Sequence, residues 1–253
     1  MRRIITIGAA LAVLGAGAAF AASNFNTYSG SKLAFPGSAK ALGENVTLKA
    51  GSTQSGDRAA PLIHIRFTIY GVKLDVGKLP ACSDAKVLAN KTSPMGACPK
   101  GSLIGSGITH ALLGPGSDPS ASKGTACNPH INVFNGGPKT EIFYFWTNSA
   151  NDCGGLTTGA TAPYDGHISY KAGNAIVDIP LPPDISNKVA NQPGLYGSLI
   201  QQNVTYGPKV QGKVYMQSVA CKKGKRPWSI TYTAQLYNST QDETQTVSGS
   251  SKC

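Results

Sequence analysis

The stretch Trp228-Ser-Ile-Thr-Tyr-Thr-Ala-Gln-Leu-Tyr237 decides the fold class. Trp228, Ile230, Tyr232, Ala234 and Leu236 recur at every second position, with hydroxyl and amide side chains between them. A period of two sends alternate side chains to opposite faces, which is the pattern of a half-buried strand. Leu62-Ile-His-Ile-Arg-Phe-Thr-Ile-Tyr70 reads the same way, with Ile63, Ile65, Phe67 and Ile69 on one face and His64, Arg66 and Thr68 on the other. Glu141-Ile-Phe-Tyr-Phe-Trp146 is apolar on both faces, as a central strand covered from both sides would be. Asn135-Gly-Gly-Pro138 separates it from His130-Ile-Asn-Val-Phe134 and predicts a hairpin. Asp165-Gly166 predicts a turn into His167-Ile-Ser-Tyr170, and further strands are expected over 46–50, 102–112, 175–179 and 213–220. No stretch carries a helical apolar stripe. The expectation is an all-β protein: an antiparallel β-sandwich or jelly roll of about ten strands.

The chain begins with Arg2 and Arg3, runs apolar from Ile4 to Phe20 and passes through Ala19-Phe-Ala21. Charge, short apolar run and small-residue site together predict a secretory signal peptide over 1–21. The apolar run is shorter than the roughly 20 residues a spanning helix needs, and no second run approaches that length. The expectation is one exported domain over 22–253, secreted or associated with the cell envelope, with no transmembrane segment after cleavage. The full chain holds 23 basic and 12 acidic residues, a net charge of +11. Losing two arginines and no acid leaves +9. Such a surface favours anionic neighbours, of which a cell-wall polymer or an acidic polysaccharide fits an exported protein. No basic helix or reading motif points to nucleic acid. Charged residues make up only 14% of the chain, so it is no disordered polyelectrolyte.

Six cysteines, Cys82, Cys98, Cys127, Cys153, Cys221 and Cys253, form an even set in a chain expected to be exported, which reads as three disulfides. Sequence leaves 15 connectivities open. Pairing of neighbours, 82–98, 127–153 and 221–253, is preferred because each bridge then clips a local excursion. Cys98-Pro-Lys-Gly-Ser-Leu-Ile-Gly-Ser-Gly107 gathers a cysteine, a lysine, serines and glycines as a phosphate loop or a nucleophile would. Its order is not that of a nucleotide-binding loop. Gly105 and Gly107 sit inside an alternation through Leu103, Ile104, Ile108 and Leu112, where glycine suggests a bulge or a close strand approach. The stretch is read as a stapled corner leading into a strand.

Leu79-Pro-Ala-Cys82 followed by Cys98 to Gly107 resembles a group of exported actinobacterial proteins. Members of that group also end with a cysteine, a short basic turn, a Trp-led strand and a final cysteine, matched here by Cys221-Lys-Lys-Gly-Lys-Arg-Pro-Trp228 and Cys253. The resemblance implies the same exported, disulfide-bonded fold and no particular activity.

Catalytic signatures are few. No nucleophile elbow, zinc-protease helix or calcium loop occurs, and no metal site or cofactor is expected. Tyr170-Lys-Ala-Gly-Asn174 and Ile63-His64 resemble strand motifs of jelly-roll alginate lyases, which would give His64 and Tyr170 proton-transfer roles. Leu62 stands where that family has Gln, and the family's R-[ST]-E-L segment is missing. Lys222, Lys223, Lys225 and Arg226 form a basic cluster fit to grip an anionic polymer, or simply a solvated turn. Tyr144, Trp146 and Trp228 read as core or as a sugar-stacking platform. The leading expectation is an exported non-enzymatic binding protein of the envelope. A polysaccharide lyase and a self-assembling surface protein are the alternatives.

Overall fold

A computed structural model describes residues 24–74, 78–89, 97–155 and 159–253. The expected signal peptide lies outside them. The main element is a twelve-stranded antiparallel sheet. Its principal strands are β1 (Lys32–Ala34), β2 (Glu44–Lys49), β3 (Leu62–Tyr70), β4 (Leu103–Pro115), β5 (His130–Gly137), β6 (Thr140–Trp146), β7 (Tyr164–Lys171), β8 (Asn174–Pro180), β9 (Leu195–Tyr206), β10 (Lys225–Gln235) and β11 (Asp242–Lys252). Their spatial order is β1-β2-β9-β4-β5-β6-β7-β8-β3-β10-β11, with the short strand Thr125–Cys127 added beside β4.

The sheet curls until its two edges meet. Across the seam Ser251 Oγ on β11 donates to Leu33 O on β1 at 2.9 Å. The Glu243 carboxylate accepts from Asn26 N at 3.1 Å, and Gln245 Nε2 donates to Asn26 O at 2.7 Å. Side chains rather than a backbone ladder therefore fasten an almost closed barrel. The apolar face of each strand points inward. Trp228, Ile230, Tyr232 and Ala234 are buried as the alternation demands, and so are Ile65, Phe67 and Ile69. At the start of β3 a register shift in its pairing with β10 interrupts the alternation, so that Leu62 rather than Ile63 is buried.

β6 is buried on both faces, as expected. Phe143 joins the barrel interior, while Ile142 and Tyr144 pack outward with Phe134, Val87 and the Cys82–Cys98 bridge. The cover on that outer side is a short helix, α1 (Asp84–Ala89), too brief to leave a periodic signal in the sequence. The three cysteine pairs are 82–98, 127–153 and 221–253. The corner at Cys98 leads into β4 as read, and its glycines have steric causes. A Cβ on Gly107 would stand 1.8 Å from Asn203 O of the neighbouring strand, and one on Gly105 would press the Tyr206 ring. The β4–β5 register also shifts beside Gly105.

One end of the barrel is floored by a four-stranded sheet built from Gly37–Ser38, Ala41–Leu42, Val72–Leu74 and Met216–Ser218. The stretch expected as one strand over 213–220 is thus divided, and only its second part, Met216–Ser218, reaches this floor. Leu42, Leu74 and Met216 from this sheet join the main core. At the opposite end, where β3 and β9 begin and β10 ends, lie the described parts of the β6–β7 and β8–β9 connections.

Candidate ligand cavity

A barrel of more than eight strands is wider than its inward side chains can fill. The unfilled space here is a cavity of about 460 Å³ at the end away from the floor, within the range of small-molecule sites. Its wall is apolar and comes from most strands, with Leu48, Phe67, Phe143, Phe145, Ile179 and Leu199 among the contributors. Tyr164 stacks on Phe143 with ring centroids 5.5 Å apart and on Phe145 at 6.1 Å, fixing the aromatic side. The exposed Leu88, Ala162 and Asn191 in the lining mark where the cavity reaches solvent.

Two connections hold this rim in place. In the β6–β7 connection Asp152 Oδ2 accepts from Asn148 N at 2.7 Å and from Ser149 N at 3.1 Å. Cys153 then bonds Cys127 at the end of the strand beside β4. In the β8–β9 connection Leu181 N donates to Ile63 O at 2.9 Å and Gly197 N donates to Ser186 O at 2.7 Å.

Polar groups in this apolar wall are few and mostly unanswered. Thr109 Oγ1, Trp146 Nε1, Thr161 Oγ1 and Asp184 Oδ1 are buried without a hydrogen-bond partner among the described residues. All four belong to residues of the lining, and Thr109 is only 6% exposed. Buried polar atoms in folded proteins are paired as a rule; these four do not share one face, because the Trp146 ring packs with the outer cluster of Ile142 and Tyr144.

Toward the floor, Val46, Phe67, Ile179 and Tyr206 line both the cavity and a void of about 20 Å³ that touches Glu44 and Glu141. Burial pushes the Glu44 carboxyl up to about 8, with the neighbouring Glu141 adding to the rise. Burial raises Glu141 to about 7 against the hydrogen bonds of Tyr215 and Tyr206. The Tyr215 hydroxyl donates to Glu141 Oε1. Burial, then Glu141, drives both tyrosine hydroxyls upward. A sequence signal for this group existed: Glu141 is the single charge opening the apolar run of β6.

The residues singled out from the sequence lie elsewhere. His64 Nε2 stands 3.1 Å from Asp178 Oδ1, and Arg66 Nε donates to the same oxygen at 2.6 Å, on the outer face of β3 and β8. Burial would raise the Asp178 carboxyl, but the bonds and charges of Arg66 and His64 hold it below its ordinary value. The Tyr170 hydroxyl accepts from Leu74 N at 3.0 Å. Tyr170 lies level with Ala175 and Ile69, whereas His64 pairs with Pro180. Five residues of strand, about 17 Å, separate the two levels, so the pair is not brought together.

Lys222, Lys223 and Lys225 are exposed on a tight turn with Lys223 and Gly224 at positive φ, 53° and 72°. Arg226 does not join them. It is 1% exposed, with its guanidinium 5.2 Å over the Phe35 ring and Nη2 donating to Ser218 Oγ at 2.6 Å. The inward alternation of β10 begins at Arg226, two residues before Trp228, and this turns it away from solvent. Tyr144 and Trp228 are core, and only Trp146 of the three candidate stacking residues reaches the cavity.

Among the described residues no group of three His, Cys, Asp or Glu side chains could hold a metal ion, and no helix is long and apolar enough to cross a membrane. In comparisons with protein families, with curated proteins and with solved structures, nothing matches this chain.

Proposed function

We propose that the protein is a non-enzymatic, exported carrier that holds one small apolar molecule inside its barrel. The observation that carries this reading is the cavity of about 460 Å³, open to solvent at one rim and lined mainly by aromatic and aliphatic side chains. Unfilled apolar space forgoes the contacts that normally pack a core, and its walls gain them back when an apolar guest enters. The Cys127–Cys153 bridge pins the rim of this site, and disulfides suit a compartment outside the cell. The test is titration of the oxidised protein with N-phenyl-1-naphthylamine, whose fluorescence rises on leaving water. Saturable binding that Ala111→Trp abolishes, with unchanged circular dichroism, supports the reading. No fluorescence gain, or a gain indifferent to Ala111→Trp, refutes it.

A second reading rests on the exposed Lys222, Lys223 and Lys225 and on the excess of basic over acidic residues, 23 against 12 in the full chain: the turn attaches the carrier to an anionic polymer of the envelope. Retention on an immobilised polyanion should fall steeply with salt. Retention unchanged in Lys222→Glu/Lys223→Glu/Lys225→Glu would remove this second reading and leave the first intact.

A further inference from the structure

We infer that the guest of the cavity is an apolar amine, held with its ammonium end toward Glu44 and Glu141, rather than a fatty acid or a neutral alcohol. This rests on the cavity being a ligand site. It follows from where the interior charges lie and how their hydrogen bonds are spent. On β2 the inward positions are Glu44, Val46 and Leu48, and on β6 they are Glu141, Phe143 and Phe145. Val46, Leu48, Phe143 and Phe145 line the cavity. The two carboxyls therefore stand one pleat, about 7 Å, below its apolar wall on the side of the floor.

Both carboxyls border one small space. Glu44 and Glu141 line the same void of about 20 Å³, enough for one water-sized group. Tyr206 pairs with Glu44 across β9 and β2, lies over Gly105, and bonds Glu141 three strands away. The Tyr215 hydroxyl donates to Glu141 as well. Both tyrosine protons are thus spent on Glu141. Glu44, only 7% exposed, is left with no hydrogen-bond donor among the described residues. The other residues around the void, Val46, Phe67, Ile69, Leu74, Val177 and Ile179, are apolar. Among the described residues no Lys, Arg or His lines the void or the cavity, whose wall instead carries a third acid, Asp184. The two buried arginines are engaged elsewhere, Arg58 with the carbonyls of Pro115 and Asp118, and Arg226 with Ser218. In a chain with 23 basic and 12 acidic residues, the interior is acidic and lacks a counter-charge.

Head groups differ in what they bring to this interior. A carboxylate adds negative charge beside two carboxyls, where apolar surroundings screen poorly. A hydroxyl supplies Glu44 with one donor and no charge. An ammonium supplies three donors and the missing positive charge. Val46, Phe67, Ile179 and Tyr206 line both the cavity and the void, so one layer of side chains separates them. An ammonium at the floor side of the cavity feels both carboxyls across that layer, and passing it brings N–H groups to Glu44. Burial pushes Glu44 up to about 8 and Glu141 up to about 7, so at neutral pH protons remain on the pair. An ammonium binds the ionised carboxyls and displaces those protons, so its binding tightens as pH rises through that range. An alkylamine keeps its own charge there, since its pKa resembles that of lysine, about 10.4.

The experiment displaces N-phenyl-1-naphthylamine from the oxidised protein with dodecylamine, dodecanol and dodecanoate, each below the concentration at which it aggregates, near pH 5.5 and near pH 8.5. At the higher pH dodecylamine is expected to displace at about tenfold lower concentration than dodecanol, the worth of one charge-assisted hydrogen bond. Dodecanoate should need the highest concentration. The amine's advantage should shrink toward parity near pH 5.5, where the carboxyls hold their protons. Glu44→Gln should shrink it near pH 8.5 while still binding the fluorophore, and Lys222→Glu/Lys223→Glu/Lys225→Glu should leave it unchanged. Equal displacement by amine and alcohol near pH 8.5, or a preference for the acid, overturns the inference and leaves the carrier reading standing. A fluorophore that does not bind at all overturns the carrier reading itself, and with it this inference. If Glu44→Gln loses the fluorophore site, the native protein decides alone: an amine advantage that is the same at both pH values counts against the inference.

Discussion

At the residue scale the least ordinary feature is the pair Glu44 and Glu141, two carboxyls inside an apolar barrel. Both are pushed upward, to about 8 and about 7, by burial first. The folded state therefore holds protons that the unfolded chain releases above its ordinary carboxyl range. Stability from this pair is fully present below about pH 4.5 and is lost as pH rises toward 8. Thermal melts should show a melting temperature several degrees higher near pH 5.5 than near pH 8.5. Glu44→Gln should flatten that slope, since it removes one member without emptying the space. A melting temperature that rises across this range in the native protein would contradict the assignment. Gly107 supports a second prediction. With a Cβ placed 1.8 Å from Asn203 O, Gly107→Ala should force β4 from β9 and cost about 1–3 kcal/mol, or roughly 2–4 °C per kcal/mol in a calorimetric melt.

At the scale of elements, much was legible and the omissions have causes. Alternation in 228–237 and 62–70 told strand from helix because one face of each strand meets the core and the other meets water. β6 was legible as central for the opposite reason, since α1 and the Cys82–Cys98 bridge cover its outer face. Of the 15 connectivities that the sequence left open, the neighbour pairing preferred there is the one present, each bridge closing a local loop. Three things were not legible. α1 spans six residues, less than two turns, and has no stripe to read. The register shift at the start of β3 left the composition of the strand unchanged. Arg226 was assigned to the basic turn because charge suggested exposure, whereas strand parity placed it inside. The Cys127–Cys153 bridge yields an element-scale prediction. Cys127→Ser/Cys153→Ser should cost up to about 2–4 kcal/mol and should speed amide exchange over 147–155 more than in β10. Uniform exchange across the chain would show that the bridge does not act locally on the rim.

At the scale of the whole molecule the cavity was the part least visible in sequence. Each wall residue is an unremarkable core residue of its own strand, and the empty space belongs to no one of them. It arises from strand number and curvature, which depend on how registers add up around the sheet. The polar atoms on its wall were hidden likewise, because a lone Thr or Trp in a strand signals nothing until its neighbours are known. A guest that occupies this space binds only the folded protein. Saturation at about a hundred times its dissociation constant should add about 2.7 kcal/mol to stability. A melting temperature that climbs with N-phenyl-1-naphthylamine in the native protein, and does not climb in Ala111→Trp, is the expected result.

The seam between β1 and β11 has a consequence for time rather than for equilibrium. Its hydrogen bonds join residues 217 to 219 positions apart, almost the whole described chain. Closing so long a loop is entropically demanding, and such contacts form late on a folding pathway. The expectation is that the remaining strands assemble first and the seam closes after the transition state. Contacts absent from the transition state slow unfolding without speeding folding. Ser251→Ala with Gln245→Ala should accordingly raise the unfolding rate in stopped-flow and leave the refolding rate near that of the native chain. A barrel built this way is expected to complete its wall last, with the segments around 26–34 and 243–251 acting as its clasp.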